Sequence, residues 1–297
     1  MNNEKMAKEL RKMLTDGKVH YTVGVGDALG AKIACQVDGI DAILTSGYSF
    51  AAAEFAMPDA EYYTRDENCT FVKKCCDVST KPIIADIDTG YGNAVTVIHT
   101  VHEFEKAGAA GMIIEDQISP KRCPICVDTK NKLISLEEAV GKIRAACENR
   151  LNPDTVIIAR TDAPTWEEAI ERGRAMKEAG ADAIQLLSGA YQTPKGAHDL
   201  AAEIGLPLSV QIVGRMEGFT KDDMENVIQA TFTQLPVAPV HAAIQAMWNV
   251  MKYWAENHTV VGCEVPTITH TACKDLLGMP EVEKLMDRYL PQESDLK

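Results

Sequence analysis

Charged side chains follow three successive apolar runs of the sequence. Asp86-Ile87-Asp88 follows one run, Glu115-Asp116 the next, and Arg160-Thr161-Asp162 the third. A single Asp-x-Asp is also typical of a turn or a helix cap, but three runs that end this way favour a shared site. Carboxylates without a neighbouring cysteine or histidine suit a hard cation, so the pattern predicts Mg²⁺ or Mn²⁺ rather than Zn²⁺. Such an ion would stabilise negative charge on a carbonyl or enolate oxygen, and Arg160 would hold a substrate carboxylate.

A second candidate is the cysteine in Pro120-Lys121-Arg122-Cys123-Pro124-Ile125-Cys126. The two cations before Cys123 are expected to lower the pKa of its thiol and keep it reactive. The segment lies in a long connection that is a candidate lid. Cys123 and Cys126 also form a Cys-x-x-Cys pair, as in some zinc or redox sites. One pair is weak support, because a structural zinc site needs two further ligands.

Eight short apolar runs could position these groups. Because they are apolar throughout rather than alternating, they are typical of parallel strands covered on both faces. The predicted strands are Tyr21–Val25, Ala42–Ser46, Pro82–Asp86, Gly111–Glu115, Val156–Arg160, Ala183–Leu187, Leu208–Ile212 and Thr231–Leu235.

Helical segments alternate with these strands. Ser135 with Glu138, and Thr165 with Glu168, fit the capping box that opens a helix. The alternation predicts an α/β fold, a closed (β/α)₈ TIM barrel in which active residues cluster at the carboxyl ends of the strands.

The whole chain, residues 1–297, is expected to be one barrel domain with a C-terminal helical extension. Two apolar helical stretches, His241–Glu256 and Asp275–Tyr289, follow the last strand. The last one could pack on its own chain or on another subunit.

Composition narrows the class of protein. The net charge of −13 argues against nucleic acid or an anionic membrane as a partner. No apolar run approaches the roughly 18 residues of a membrane span, and the N-terminal segment lacks the apolar core of a signal peptide. These features predict a cytoplasmic enzyme whose nine cysteines are reduced and mostly buried.

Six stretches of the chain match motifs of a known family. They are Thr45-Ser46-Gly47-Tyr48, Met57-Pro58-Asp59, the run from Ala85 to Asn93, Gly111 to Gln117, Pro120 to Cys123, and the run from Ala159 to Ala163. On these residues the sequence resembles the isocitrate lyase / phosphoenolpyruvate mutase superfamily over nearly its full length. Its nearest branch is the methylisocitrate lyase / 2,3-dimethylmalate lyase-like one.

The resemblance implies a homotetramer with the last helix swapped between neighbouring subunits, and Mg²⁺ bound to a 2-oxo acid or its enolate. It assigns Asp86 as a direct metal ligand, with Asp59, Asp88 and Glu115 around the ion, largely through water. The residues it implies for the substrate are Ser46, Gly47, Tyr48 and Arg160, with Ser188 and Gln211 near its distal half.

The lyase and mutase branches differ at the lid. This chain has the lyase-like Lys121-Arg122-Cys123, and it lacks the mutase-type Lys-Thr-Asn-Ser. The resemblance implies that Cys123 protonates the departing enolate, and Tyr48 is the candidate base. Pro124-Ile125 replaces the Gly-His of isocitrate-type lyases, and Leu187-Ser188 is closer to the mutase pattern.

The predicted function is therefore a Mg²⁺-dependent carbon–carbon lyase that cleaves a 2-hydroxy di- or tricarboxylic acid through a metal-stabilised enolate. Isocitrate-, methylisocitrate- and alkylmalate-like acids all remain candidates. The alternatives are a phosphonopyruvate-type mutase or hydrolase, an oxaloacetate-acting enzyme, and a barrel that has lost activity and binds metabolites.

Overall fold

A parallel barrel forms the body of the molecule. The computed structural model describes residues 3–123, 132–187 and 189–291. Eight parallel strands hydrogen-bond in sequence order, and β8 closes the barrel onto β1. The strands are β1 His20–Val25, β2 Ala42–Thr45, β3 Ile83–Asp86, β4 Gly111–Glu115, β5 Val156–Thr161, β6 Ala183–Leu186, β7 Leu208–Gln211 and β8 Phe232–Leu235. The predicted (β/α)₈ fold is confirmed, and no strand end differs from its predicted position by more than one residue.

Helices follow the strands as the sequence predicts. They are α1 Asn3–Met13, α2 Ala28–Gln36, α3 Gly47–Phe55, α4 Arg65–Val78, α5 Ala94–Ala107, α6 Leu136–Asn149, α7 Trp166–Glu178, α8 Pro194–Ile204, α9 Ala238–Asn257, α10 His270–Leu277 and α11 Met279–Tyr289. A 3₁₀ turn, Gly214–Gly218, and a π-helical segment, Asp223–Ile228, lie between β7 and β8. The Ser135 and Thr165 side chains cap α6 and α7 by accepting from the backbone N–H of Glu138 and Glu168.

The apolar core has two parts because each strand buries both faces. Inside the barrel, Leu44, Ile84, Ile113 and Ile158 pack together with Leu10 of α1, which closes the amino-terminal end. A larger cluster fills the layer between the strands and the surrounding helices. The carboxyl ends of the strands therefore remain the place where polar side chains can meet.

The chain divides into two compact units, Met1–His241 and Ala242–Lys297. Within the second unit, the prediction of a single helix over Asp275–Tyr289 is wrong, because this segment is divided between α10 and α11. Gly278 adopts a left-handed φ of 87° that ends α10, and Pro280 lies in the first turn of α11. The Gly-Met-Pro sequence explains the break, since glycine favours a helix C-terminus and proline a helix start.

The cysteines are less buried than the sequence predicts. Among the eight described cysteines, only Cys75 and Cys123 are buried. Within the described ranges, no helix combines the length and apolarity needed to cross a membrane. The cytoplasmic location remains a prediction.

Candidate active site at the carboxyl ends of the strands

Three carboxylates surround one buried ammonium at the barrel mouth. Lys121 Nζ lies 3.0 Å from Asp59 Oδ1, 2.5 Å from Asp88 Oδ1 and 3.9 Å from Glu115 Oε1. Lys121 and all three acids are buried. The acids come from the connection before α4, the turn after β3 and the end of β4, so the topology brings together residues that are distant in sequence.

Asp88 is completely buried, and other side chains already occupy its carboxylate. Tyr63 donates its O–H to Oδ1 at 3.2 Å, and Tyr91 donates to Oδ2 at 2.8 Å. Lys121 shares Oδ1. This set of partners satisfies a buried charge that would otherwise be costly.

Asp86 is held differently, by backbone N–H groups. Gly47 N donates to its Oδ2 at 3.3 Å, and Asp88 N donates to Oδ1 at 3.1 Å. Gly47 begins α3 directly after β2, and a Cβ at this position would lie 2.4 Å from the Tyr63 hydroxyl. Glycine at position 47 thus lets the α3 backbone approach both Asp86 and Tyr63.

Arg160 projects from β5 into the same cluster. Its Nη1 lies 2.7 Å from Glu115 Oε2, and its Nε and Nη2 donate to the two oxygens of Asp162. The two hydrogen bonds to Asp162 use two of the five guanidinium N–H donors. Gln117 Nε2 also donates to Asp162 at 2.8 Å, which ties the end of β4 to that of β5.

The acids of the cluster outnumber its cations, and burial raises the pKa of two of the acids. Burial raises the pKa of Glu115 to about 8, although Arg160 and Lys121 favour its ionised form. Burial likewise raises the pKa of Asp88 to about 6 against the effect of Lys121. Burial opposes the charge of Lys121, but the surrounding carboxylates outweigh it and raise its pKa well above the usual value. Added positive charge would therefore be stabilised here.

Three of the four predicted metal-binding residues, Asp59, Asp88 and Glu115, thus meet around Lys121. In the part of the chain that the structure describes, no three Asp, Glu, His or Cys side chains are already arranged around one metal-sized position. A cavity of about 720 Å³ lies beside the cluster and is lined in part by Tyr63, Tyr91 and Lys142. None of Asp59, Asp86, Glu115 and Arg160 lines this cavity.

The stem of the candidate lid is an ordered backbone pairing. Gln117 and Leu133 form an antiparallel bridge, and Ile118 N donates to Lys132 O at 2.8 Å. Arg122 is exposed, but its backbone N–H donates to Gln117 Oε1 at 2.9 Å. Cys123 is 5% exposed. Pro124, Ile125 and Cys126 lie outside the described residues.

Comparisons with known proteins agree with this geometry. Residues 10–257 match the family described as phosphoenolpyruvate phosphomutase. The chain belongs to the isocitrate lyase / phosphoenolpyruvate mutase superfamily. It is 34% identical to 2,3-dimethylmalate lyase of Eubacterium barkeri, over 95% of this chain and 98% of that protein. It is also 34% identical to 2-methylisocitrate lyase of Escherichia coli, over 86% and 87% of the two chains.

Solved structures extend the likeness to the fold. A phosphonopyruvate hydrolase complex with oxalate and Mg²⁺ superposes with a TM-score of 0.86 at 29% identity, over 98% of this chain and all of that one. A phosphoenolpyruvate phosphomutase from Streptomyces platensis subsp. rosaceus gives a TM-score of 0.89 at 28% identity, over 96% and 99%. The protein is thus an enzyme of this lyase and mutase superfamily.

The predicted substrate residues of this superfamily enzyme have structural partners of their own. The Ser46 side chain caps α3 by accepting from Ser49 N at 3.2 Å. The Tyr48 hydroxyl lies 3.0 Å from His241 Nε2. Gln211 Nε2 donates to Gln234 Oε1 at 3.4 Å at the end of β7. Ser188 lies outside the described residues, so its predicted contact stays a prediction.

Sequence reasoning missed the residues that support the acids. Tyr91 lies inside one of the family-like stretches and could have been singled out there. Asn68, in α4, donates to both Tyr91 Oη and the backbone oxygen of Asp86, which no local pattern reveals. Tyr63 and His241 likewise gain their roles only from tertiary contacts.

Removing the Tyr63 hydroxyl tests whether the buried Asp88 depends on its donors. We expect Tyr63→Phe to lower the free energy of unfolding by about 2 kcal/mol, since hydrogen bonds to charged groups contribute roughly 1.5–3 kcal/mol. Urea denaturation measures the difference. The matched control is Tyr62→Phe, because the neighbouring Tyr62 is 61% exposed. Equal stability of the two variants would contradict a supporting role for the Tyr63 hydroxyl.

Proposed function

We propose that this enzyme is a Mg²⁺-dependent carbon–carbon lyase that cleaves a 2-hydroxy di- or tricarboxylic acid through an enolate. The observation that carries the proposal is the buried cluster in which Asp59, Asp88 and Glu115 meet Lys121. Two residues farther along the same chain segment is the buried thiol of Cys123. One lid stem thereby carries both the ammonium that pairs with these acids and the proposed proton donor.

The donor set fits a divalent cation. Among the described residues, two cationic side chains, Lys121 and Arg160, are paired with four buried carboxylates, those of Asp59, Asp88, Glu115 and Asp162. The carboxylate of Asp86, which accepts from Gly47 N and Asp88 N, is a fifth. Oxygen ligands of this kind are those that Mg²⁺ and Mn²⁺ prefer. Asp86 would hold the ion directly, with Asp59, Asp88 and Glu115 around it. A bound Mg²⁺ would stabilise the negative charge that develops on a substrate oxygen during the reaction.

The side chains of this chain divide the remaining work. Arg160 binds a substrate carboxylate through guanidinium donors that are not turned to Glu115 or Asp162. The rest of the substrate contacts Ser46, Gly47 and Gln211. Tyr48 passes its own hydroxyl proton to Nε2 of His241, 3.0 Å away, and takes the proton of the substrate hydroxyl in its place. The carbon–carbon bond then breaks in retro-aldol fashion: the hydroxyl-bearing carbon becomes the carbonyl carbon of the 2-oxo product, and the electron pair of the broken bond forms the enolate of the other fragment. Cys123 gives its proton to the enolate carbon.

Arg122 and Lys121 both support the reaction of the Cys123 thiol, but in different ways. The thiolate that remains after proton transfer is stabilised by nearby positive charge, which Arg122 supplies from the adjacent position. Lys121 has a different task, because its ammonium is committed to the buried carboxylates. It fixes the lid stem over the strand ends.

A second candidate, phosphonopyruvate- or oxaloacetate-directed chemistry, is favoured by one feature of the chain. After β6 the chain reads Leu187-Ser188, which is more similar to the mutase-type pattern at this position than to the lyase one. The structural likeness to a phosphonopyruvate hydrolase supports the same reading. In that chemistry the enolate oxygen is stabilised in the same way, but Cys123 is dispensable.

A substrate panel with a cysteine variant separates the two candidates. The enzyme and Mg²⁺ are incubated with alkylmalates, citramalate, isocitrates, oxaloacetate and phosphonopyruvate, and release of 2-oxo acids is measured. We expect cleavage of a malate-type acid, and a loss of about 10²–10⁴-fold in kcat for Cys123→Ser, the range of a lost general acid. Cys69→Ser, in α4, is the control and should stay active. Turnover of phosphonopyruvate by Cys123→Ser at the wild-type rate would reject the lyase proposal.

We further propose that the enzyme is a homotetramer in which neighbouring subunits exchange the last helix. Support comes from the second unit, where α9 exposes Met247, Trp248, Met251 and Trp254 on its surface. On α11, Val282, Leu285, Met286 and Tyr289 are similarly exposed. Apolar side chains at helical spacing are typical of an interface rather than of a solvated surface.

The mass in solution tests this proposal. Light scattering should give four times the 32.4 kDa of one chain. Trp248→Glu should yield smaller species, because a carboxylate would be buried without a partner. Lys252→Gln on the same helix should leave the tetramer intact. A monomeric wild type, or a Trp248→Glu protein that remains tetrameric, would rule out an interface at this surface.

A further inference from the structure

Glu61 lies at the rim of the active site, and each of its two carboxylate oxygens accepts two hydrogen bonds. Its Oε1 accepts from the hydroxyl of Thr89 at 2.7 Å and from Thr89 N at 3.4 Å. Its Oε2 accepts from the hydroxyl of Ser119 at 2.6 Å and from Lys121 N at 2.9 Å. Four donors thus converge on one half-buried carboxylate.

These four bonds join three separate chain segments. Glu61 lies between α3 and α4, two residues after Asp59. Thr89 directly follows Asp88, in the turn after β3. Ser119 and Lys121 belong to the stem of the connection between β4 and α6. A single side chain therefore ties the lid stem to the two segments that supply acids to the buried cluster.

The backbone at Glu61 is unusual for a residue with a side chain. Its φ of +52° lies in the left-handed region, which glycine adopts far more readily than glutamate does. A glycine here would relieve the backbone but would lose all four acceptor contacts. The side chain thus offsets an unfavourable backbone conformation through its contacts.

Resting on the proposed lyase function, we propose that Glu61 is a positioning residue that holds the lid stem so that the Cys123 thiol faces the substrate. Lys121 is fixed twice, through its ammonium by Asp59 and Asp88 and through its backbone N–H by Glu61. The ammonium contacts alone would let the main chain pivot about a long, flexible side chain. The contact at Lys121 N removes that freedom two residues before Cys123.

A carboxylate suits this position because two of its partners, the backbone N–H groups of Thr89 and Lys121, can only donate. Glutamine keeps one acceptor oxygen, but its NH₂ group would face one of these two N–H groups, although it could donate to the hydroxyl on the same side. Glu61→Gln therefore loses one backbone contact and the negative charge that strengthens the other contacts, with little change in shape. Ser119→Ala removes one donor on the stem side and leaves Glu61 itself intact.

The experiment measures how fast iodoacetamide modifies Cys123, with each cysteine resolved by peptide mass spectrometry. We expect Glu61→Gln to raise the Cys123 rate about tenfold, since the hydrogen bonds that hold the stem are no longer made to a charged group. Ser119→Ala should raise it less. Cys75, fully buried in α4, reports on global opening and should keep its rate. Glu171→Gln, at an exposed position of α7, is the matched control.

Two further readouts separate positioning from general stability. Binding of Mg²⁺ with oxalate, measured by calorimetry, should stay within about twofold of wild type, whereas kcat on the substrate found in the panel should fall with KM unchanged. An unchanged Cys123 rate in both stem variants would overturn the proposal. So would a parallel rise at Cys75, or a rise in KM without loss of kcat. Failure of wild type to bind Mg²⁺ and oxalate would refute the proposed function instead, and the alkylation rates would still decide the role of Glu61.

Discussion

The structure depends on an excess of buried negative charge at one end of the barrel. Buried carboxylates are costly unless they are paired, and here Lys121 and Arg160 supply the cations. Burial outweighs this pairing and raises the pKa of Glu115, and Asp88 also relies on two tyrosine hydroxyls. A site with surplus carboxylates is suited to receive a cation and a substrate whose charge changes during reaction. The folding cost of the cluster and its chemical use therefore have the same origin.

The barrel topology alone brings these charged residues together, although they are far apart in the sequence. Parallel strands all end at one rim, so a charged residue placed after each of three neighbouring strands arrives at one place. The lid stem adds Lys121 from above through an antiparallel bridge between Gln117 and Leu133. The connection thus brings a cation to the acids and a thiol to the same mouth. Rigid strands position the acids, and a hydrogen-bonded loop carries the thiol that we propose as the proton donor.

Much of this arrangement can be predicted from sequence, for definable reasons. The strands are predictable because doubly covered strands are continuous apolar runs, and Asp86, Glu115 and Arg160 are predictable because they follow those runs. Lys121 shows the limit of such reasoning. Its place beside Cys123 suggests a role in tuning the thiol, whereas its long side chain reaches back into the acids. The roles of Tyr63 and Asn68 cannot be predicted from the sequence, because their partners lie on other elements. The helix break at Gly278, in contrast, is predictable from the Gly-Met-Pro sequence.

The proposed chemistry depends on the binding of a divalent cation by the acidic cluster. Calorimetric titration of Mg²⁺ in the presence of oxalate tests this binding directly, with Asp86→Asn as the variant and the exposed Asp77→Asn as its control. We expect one site per chain in the wild type and in Asp77→Asn, and an affinity at least about tenfold weaker in Asp86→Asn, a loss of roughly 1.4 kcal/mol or more. Absence of Mg²⁺ binding in the wild type, or equal affinity in Asp86→Asn, would contradict cation binding by the cluster.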